Sequence, residues 1–399
     1  MANSLSAFTP AYWAREMQDI FFKESSALVL ANTELREYLS DGDTLHKPYR
    51  SYLYAQTYTK GTDISTFNDL TATDDTLTVD TTRVVPFYID DLDRIQNKWD
   101  AAAKAAQDAQ RVLNQELDQA ILAEYSNANS FVSAQDLGGS GTGSIAITAA
   151  NISNLFTAAA RKLDFYSVPQ AGRVAVIGPR LLEILRQYVG GRETGFGETV
   201  SANGAIGARF GFDLVLSENI PFTAVLTFAN VATDADTLTI GGVTWTFETT
   251  GTNCNAAGEI DLGTSATDVG DNVVLAINGT TAGTTSTYYD VTPANRYKMR
   301  KHGLSATNAA GVVTVTGYGD VEFTKSCSNL TITSVTSNPV FMLRGAVDLV
   351  TQKSPSVEFR VAEKRLGRYV YPWMLYGKKT FTQMKDCIVY AKVDGSTWV

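Results

Sequence analysis

The sequence predicts an α+β protein in which one helix is far longer than its neighbours, and three observations carry that prediction. Apolar residues at steps of three and four run from Leu92, Ile95 and Trp99 through Ala102, Ala106, Ala109 and Leu113 to Leu117, Ile121 and Tyr125, a single helical stripe. Two strand-forming runs, Leu45 to Tyr58 and Thr76 to Val85, flank a polar stretch from Thr59 to Asp75. Beyond Pro221 the composition turns to Thr, Gly, Ala and Asn, and it turns back at Pro339.

Composition limits what such a chain can do. Its 399 residues correspond to about two or three domains, enough for a sizeable core. With 33 Lys+Arg against 42 Asp+Glu the net charge is −9, so no broad basic face is available to release counterions from phosphates. Hydrophobic residues at 44% and charged residues at 19% place the chain among globular proteins. Cys254, Cys327 and Cys387 lie far apart without a C-x-x-C pair, which excludes a zinc ribbon or a disulfide framework and suits a reducing compartment. No basic leader precedes an apolar run, and no window reaches the ~18 consecutive apolar residues of a membrane span.

The first element is an amphipathic helix opened by Thr9-Pro10, with Trp13, Met17, Ile20 and Phe21 on one stripe. The apolar stretch Ala27 to Leu39 runs to a turn at Asp41-Gly42. The runs Leu45 to Tyr58 and Thr76 to Val85 then form a long two-stranded loop with a soluble tip, closed by Pro86. Asp90 and Asp91 sit where carboxylates cap a helix, and a helix from Asp90 to Asn127 would be roughly 57 Å long, about three times the ordinary length. Its alanines keep it slim, as suits a strut along a thin protein.

After the linker Gly138 to Gly143, Thr148 caps a helix through Leu163, Arg173 to Ile177 is a buried strand, Leu181 to Tyr188 a helix, Gly190 to Gly197 a glycine-rich loop and Phe212 to Leu216 a strand. This reads as an α/β unit. Between Thr223 and Ser337, five Lys+Arg stand against ten Asp+Glu, over half of the whole chain's acidic excess. Thr237 to Ile240, Gly241-Gly242 and Val243 to Phe247 signal a hairpin. Val269, Val273 and Ile277 recur at helical spacing before Gly279, and Gly311 to Thr316 is another strand. A β-rich module inserted between Pro221 and Pro339 is the expectation. The tail supplies strands at Phe341 to Thr351, Val357 to Val361, Tyr369 to Tyr371, Leu375 to Phe381 and Cys387 to Val393, which should pair with the first half.

Chemistry is sparse. Arg173 to Pro179 offers a strand ending in glycine, but Pro179 and Leu181 occupy the turn where a dinucleotide site needs further glycines. Gly138 to Ser144 has no lysine for a phosphate and reads as a linker. Asp90, Asp91 and Asp93 read as capping groups rather than acid/base or metal carboxylates. His46 and His302 are the only imidazoles, too few to build a Ser/His/Asp set. The basic run Arg296, Lys298, Arg300 and Lys301, with Tyr297 and His302, reads as a solvated strand or loop before an interface patch. No catalytic residue, metal ligand or cofactor site is expected, and the chain reads as a non-enzyme.

The order of parts resembles the Hong Kong 97-type fold of tailed-bacteriophage major capsid proteins, with Arg83-Val84-Val85-Pro86-Phe87 leading into the helix and Leu375-Tyr376-Gly377 late in the chain. The resemblance covers residues 1 to about 221 and 340 to 399. It implies an N-terminal arm at 1–44, an extended loop at 45–86, a spine helix and peripheral domain at 87–147, the first part of an axial domain at 148–222, a β-rich insertion at 223–338, and return strands of the axial and peripheral domains at 339–399.

What the resemblance implies is a coat protein that assembles as hexamers and pentamers into an icosahedral head enclosing double-stranded DNA without sequence-specific contacts. Trp13, Met17, Phe21, Tyr49, Tyr52, Tyr54, Tyr58, Lys60, Phe67 and Arg83 become candidate contacts between copies, and Arg296, Lys298, Arg300 and Lys301 a candidate patch on the insertion. A portal protein and a decoration protein are further expected partners, with the virion as location and a bacterial cytoplasm as the place of assembly. No long charged prefix precedes the Thr9 helix, so the expected scaffold is a separate protein and the mature chain begins at Met1 or Ala2. Shell physics points the same way, because a thin plate buries a slender helix and a projecting hairpin only when neighbouring copies cover them. Two alternatives are an encapsulin-like shell around protein cargo and a carbohydrate-binding β-protein using Trp245, Tyr288 and Tyr289, for which core packing is the simpler reading.

Overall fold

The computed structural model describes residues 23–395 apart from 24, 40–41, 65, 92–100, 192–206, 250–253, 280–286 and 363–364. The arm helix expected after Thr9, with Trp13, Met17 and Phe21, lies outside the described residues, as do residues 92–100 of the long helix and most of the glycine-rich stretch to Gly197.

From Ala101–Ala123 the apolar stripe forms helix α1, and a 3-10 turn over Glu124–Asn127 ends it where the pattern stops. Ala109, Leu113, Leu117 and Ile121 are buried at four-residue steps. Leu113, Leu117 and Ile121 face Ala27 and Leu30, then Val174, Val176, Val340 and Met342 of one sheet, then Leu349, Met374 and Tyr376 of another. Each fully buried Leu or Ile is worth about 1.5–3 kcal/mol, so this one helix face joins three parts of the chain. The apolar stretch Ala27 to Leu39 folds as two 3-10 turns, Ala27–Leu30 and Glu34–Glu37.

The central sheet has the order Ser130–Val132, Ile388–Ala391, Val340–Leu343, Arg173–Ile177, Asp213–Leu216. All five residues of Arg173–Ile177 are buried. Val340 pairs antiparallel with Val176, and Val174 pairs parallel with Asp213, so the tail does complete the sheet begun in the first half. Helices α2 (Ile152–Phe165) and α3 (Pro179–Gly190) cover it through Leu155, Phe156, Leu181 and Leu185. Helix α2 begins later than the expected Thr148 cap, because the Asn151 side chain accepts the Thr148 N–H at 2.8 Å and spends that segment in a turn.

The expected strand Phe341 to Thr351 breaks at 344–347 and its second half fuses with Val357 to Val361, while Tyr369 to Tyr371 fuses with Leu375 to Phe381. Asp348–Val361 and Gly367–Lys379 form one long antiparallel hairpin that contains Pro355 and Pro372. Pro355 falls where the register slips between Lys353 and Ser356, on the sheet's edge strand. Pro372 accepts from Val85 N–H at 2.9 Å, so its missing N–H faces the interruption at Pro86, between Thr81–Val84 and Phe87–Asp90, which pair with the same strand. Asp90, expected as a helix cap, ends a strand opposite Gly367. That glycine has φ +151, and a Cβ there would stand 2.3 Å from the Ile89 carbonyl oxygen, so the strand can close only on glycine.

The β-rich region is two sheets with helices. Ser305–Ala309, Val312–Tyr318, Pro221–Phe228 and Leu330–Ser337 make one sheet, and Val393–Asp394 of the tail joins its edge. Glu259–Asp261, Val243–Glu248, Thr237–Ile240 and Phe323–Lys325 make the other. The hairpin turns at Gly241 and Gly242, both with positive φ (58 and 72), as a type I′ turn demands. Helix α4 (Ala266–Asn278) buries Val269, Val273 and Ile277 and ends on left-handed Gly279. Their shared core, from Phe222 to Val335, holds Trp245, Phe247 and Tyr288 fully buried. Trp245→Ala should therefore cost about 3–5 kcal/mol, read as a lower midpoint in urea unfolding; a loss below ~1 kcal/mol would contradict this core.

Candidate functional site

The chain doubles back on itself around the polar stretch, but with less strand than expected: pairing is confined to Thr44–His46 and Tyr49–Arg50, Ala72–Thr73 of the polar stretch supplies one partner, and Thr81–Val84 pairs with the tail strand Gly367–Lys379 instead. Leu45 pairs with Leu77 and Tyr49 with Thr73, antiparallel. Beyond them, Asn68 Nδ2 donates to the Tyr54 carbonyl at 2.9 Å and Ser51 N–H to the Thr71 carbonyl at 2.9 Å, tying the two arms together. Tyr52, Leu53, Tyr54, Tyr58, Ile64, Phe67 and Leu70 all project into solvent, Tyr52 at 86% of its full exposure and Phe67 at 75%. A two-stranded ribbon is marginal by itself, and a cluster of exposed apolar side chains this dense marks an interaction surface. Lys60 is exposed at the tip beside Gly61, while Tyr49 is half-buried near the base.

The base of the ribbon is rigid. Leu77 and Val79 pack with Leu39, Val350 and Phe381. Asp75, buried, forms an ion pair with Lys379 and accepts from Thr382 N–H at 2.9 Å and Thr382 Oγ1 at 2.8 Å. Burial pushes the Asp75 carboxyl up, but the Lys379 ammonium and both Thr382 donors outweigh it and hold it below its ordinary 3.8. Lys47 reaches Asp348 at 3.4 Å and stands 4.5 Å over the Phe381 ring, while Asn32 Nδ2 donates to Asp348 at 2.7 Å. His46 Nδ1 lies 2.5 Å from Asp74.

Arg83 faces its own chain. Its Nε lies 3.6 Å from Glu116 on α1, joining the strand after the loop to the helix. Half of its side chain is nonetheless exposed.

The basic run of the β-rich region is not a solvated strand or loop. Pro293–Lys301 is helix α5, capped by Thr292, whose hydroxyl accepts from Asn295 N–H. The Thr292-Pro293 pair is the start signal already read at Thr9-Pro10, and polarity hid it here. Arg296 does not belong to a surface patch. It is buried, donates to the Ile277 and Ala276 carbonyls at 3.0 Å each, and pairs with Asp290, so it satisfies the last carbonyls of α4. Lys298 and Arg300 are exposed, and the Lys301 carbonyl accepts from Gln115 Nε2 of α1 at 2.8 Å. Trp245 and Tyr288 are core, which leaves only Tyr289 of that trio exposed.

An open cleft of about 560 Å³ between α3 and the β-rich region is lined by Arg180, Glu183, Asp320, Phe323, Ile332 and Val335. Arg180 pairs with Glu183 at 3.0 Å. Among the described residues no group of three or more His, Cys, Asp or Glu could hold a metal ion. None of their helices is long and apolar enough to cross a membrane.

No family model matches the chain, and no curated protein does. Solved structures do. A chain of Mycobacterium phage Che8 superposes with TM-score 0.57 at 14% identity, covering 97% of this chain and 98% of that one. The capsid structure of cyanophage P-SCSP1u gives 0.57 at 15%, over 98% and 95%. The mature capsid of bacteriophage PhiM1 gives 0.51 at 10%, over 96% and 92%. At this identity the likeness establishes the fold, which is the Hong Kong 97-type capsid fold that the order of parts resembles.

The anchored loop base has a pH signature. Asp75 contributes stability above its ordinary carboxyl value and loses it as pH falls through the lowered folded value. Asp75→Ala should cost about 2 kcal/mol near neutrality and flatten the acid limb below about pH 4. Urea unfolding of both proteins across that range checks it, and parallel curves would refute the assignment.

Proposed function

We propose that the chain is the major capsid protein of a tailed bacteriophage, assembling as hexamers and pentamers into an icosahedral head. The observation that carries the reading is the loop, an apolar, tyrosine-rich ribbon exposed on an immobile base in a chain with a phage-capsid fold. Its exposed side chains, Tyr52, Tyr54, Tyr58 and Phe67, gain a partner when a neighbouring copy covers them; Lys60 lies on the same ribbon, and half-exposed Arg83 lies on the strand that follows it. Trp13, Met17 and Phe21, outside the described residues, stay candidate contacts between copies. Lys298 and Arg300 remain candidates for contact from the β-rich region.

The acidic net charge suits an inner wall that confines DNA without gripping it. A separate scaffolding protein, a portal protein and a decoration protein are the proposed partners, and assembly in a bacterial cytoplasm leads to the virion. A structural rather than catalytic role fits His302, which burial and then Lys23 push down to about 4, so that it stays neutral at ordinary pH. The carbohydrate reading loses its platform with Trp245 and Tyr288 in the core.

Expression beside phage morphogenesis proteins, followed by electron microscopy, should show closed shells of pentamers and hexamers containing DNA once packaging is supplied. Monomers or small oligomers alone would overturn the reading, and shells loaded with an enzyme would favour an encapsulin. Protease should nick between Gly61 and Asp75 in free subunits and be blocked in shells, whereas equal cleavage in both states would remove the loop from the interface.

A further inference from the structure

Lys23 is a lysine in an uncommon place. It is 5% exposed, and its Nζ donates to the Tyr318 carbonyl at 2.9 Å, far along the chain in the β-rich region. His302 Nδ1 lies 3.0 Å from the same oxygen, and because a carbonyl only accepts, that nitrogen carries the hydrogen. Both lone pairs of Tyr318 are thereby used. Gly319 closes the seat, since a Cβ on it would stand 3.1 Å from Lys23 Nζ and 2.7 Å from the Glu218 carbonyl oxygen, with φ +100 as well. The charged groups facing Lys23 are Glu218 before the β-rich region, Asp118 on α1, and Asp320, Lys301 and neutral His302 within the β-rich region.

We infer that the β-rich region has a function of its own within the subunit, holding the root of the N-terminal arm in a seat formed by His302, Tyr318, Gly319 and Asp320. The segment just after Lys23 is fixed too, with Ser25 Oγ and Ala27 N–H donating to Asp118 at 3.2 and 2.5 Å. Between them, the β-rich region and α1 fix the chain at Lys23, Ser25 and Ala27. The amine is pushed down to about 8, by burial first and against the pull of Glu218, as expected of a seat that excludes water. The inference concerns one folded chain and goes beyond the capsid reading, so it is tested on unassembled subunits.

In the full chain, acylation by a water-soluble ester followed by peptide mass spectrometry should modify Lys23 at least tenfold more slowly than exposed Lys60. Gly319→Val should raise the Lys23 rate tenfold or more while the amides of Val313 and Val315 stay protected from hydrogen exchange. If that variant does not fold, His302→Ala supplies the same opening. Lys23→Ala should speed amide exchange at residues 25–32 about tenfold. Equal reactivity of Lys23 and Lys60 in the wild type, or rates unmoved in a folded seat variant, would overturn the inference.

Discussion

A carboxylate taken out of water must have its oxygens hydrogen-bonded, and the fold is arranged around one that does. Asp118 on α1 is fully buried. One oxygen accepts from Ser25 Oγ and Ala27 N–H, and the other accepts from Asn219 Nδ2 at 2.9 Å. Asn219 is itself buried and accepts from Gln119 Nε2 at 3.3 Å. Removing one member would leave the rest unsatisfied at roughly 1–3 kcal/mol each, so two segments remote in sequence, at Ser25–Ala27 and at Asn219, are held to one point of one helix. In the 3-10 turn that ends this helix, Glu124 does the same for the tail, pairing with Lys378 at 3.2 Å and accepting from Thr380 N–H at 3.2 Å.

This concentration of interactions explains why the loop can stay so exposed. Stability in a protein is uneven, and elements poor in buried contacts open first. Here the packing of Leu77, Val79, Val350 and Phe381 stops at the base of the ribbon, while the residues from Tyr52 to Leu70 have almost none. A well-fixed base limits the directions the ribbon can take, which lowers the entropy lost when its aromatic side chains are covered. The same logic separates Asp75 from Asp74. The first is buried and tied to the tail strands, whereas the second pairs with exposed His46 at the surface, where ion pairs contribute little.

Much of this was legible in the sequence wherever a pattern is local. The turn at Gly241-Gly242, the buried strand Arg173–Ile177, the stripe Val269, Val273 and Ile277, and the end of α1 all follow from periodicity and turn chemistry. Helix α5 did not, because its first turns are polar and Arg296, the residue that fixes it, looks like a surface charge until α4 is beside it. The long hairpin was legible only as separate short strands, since only the register and the gap at Pro86 show that Pro355 and Pro372 are not asked for a hydrogen bond. The exposed loop was recognisable from its tyrosines. Arg83 and Lys23 were not, because their partners, Glu116 and Tyr318, lie in elements that only the fold brings near.

The β-rich region is joined to the rest by more than its two chain ends. Arg180 N–H, in the first turn of α3, donates to Asp320 at 3.1 Å, so a carboxyl from the β-rich region sits at the positive end of a helix of the central unit. Burial raises that carboxyl, and the Arg180 N–H and then Lys23 draw it back. The tail runs from Ile388–Ala391 in the central sheet directly into Val393–Asp394 on the other sheet, where Gly395 N–H still donates to Val335 at 2.7 Å. With Gln115 bound to the Lys301 carbonyl, these ties come from α1, α3 and the tail, three different directions. A body held from three directions is an integral part of the subunit rather than a tethered ornament, and α1, which carries both Gln115 and Asp118, connects it to residues 25–27.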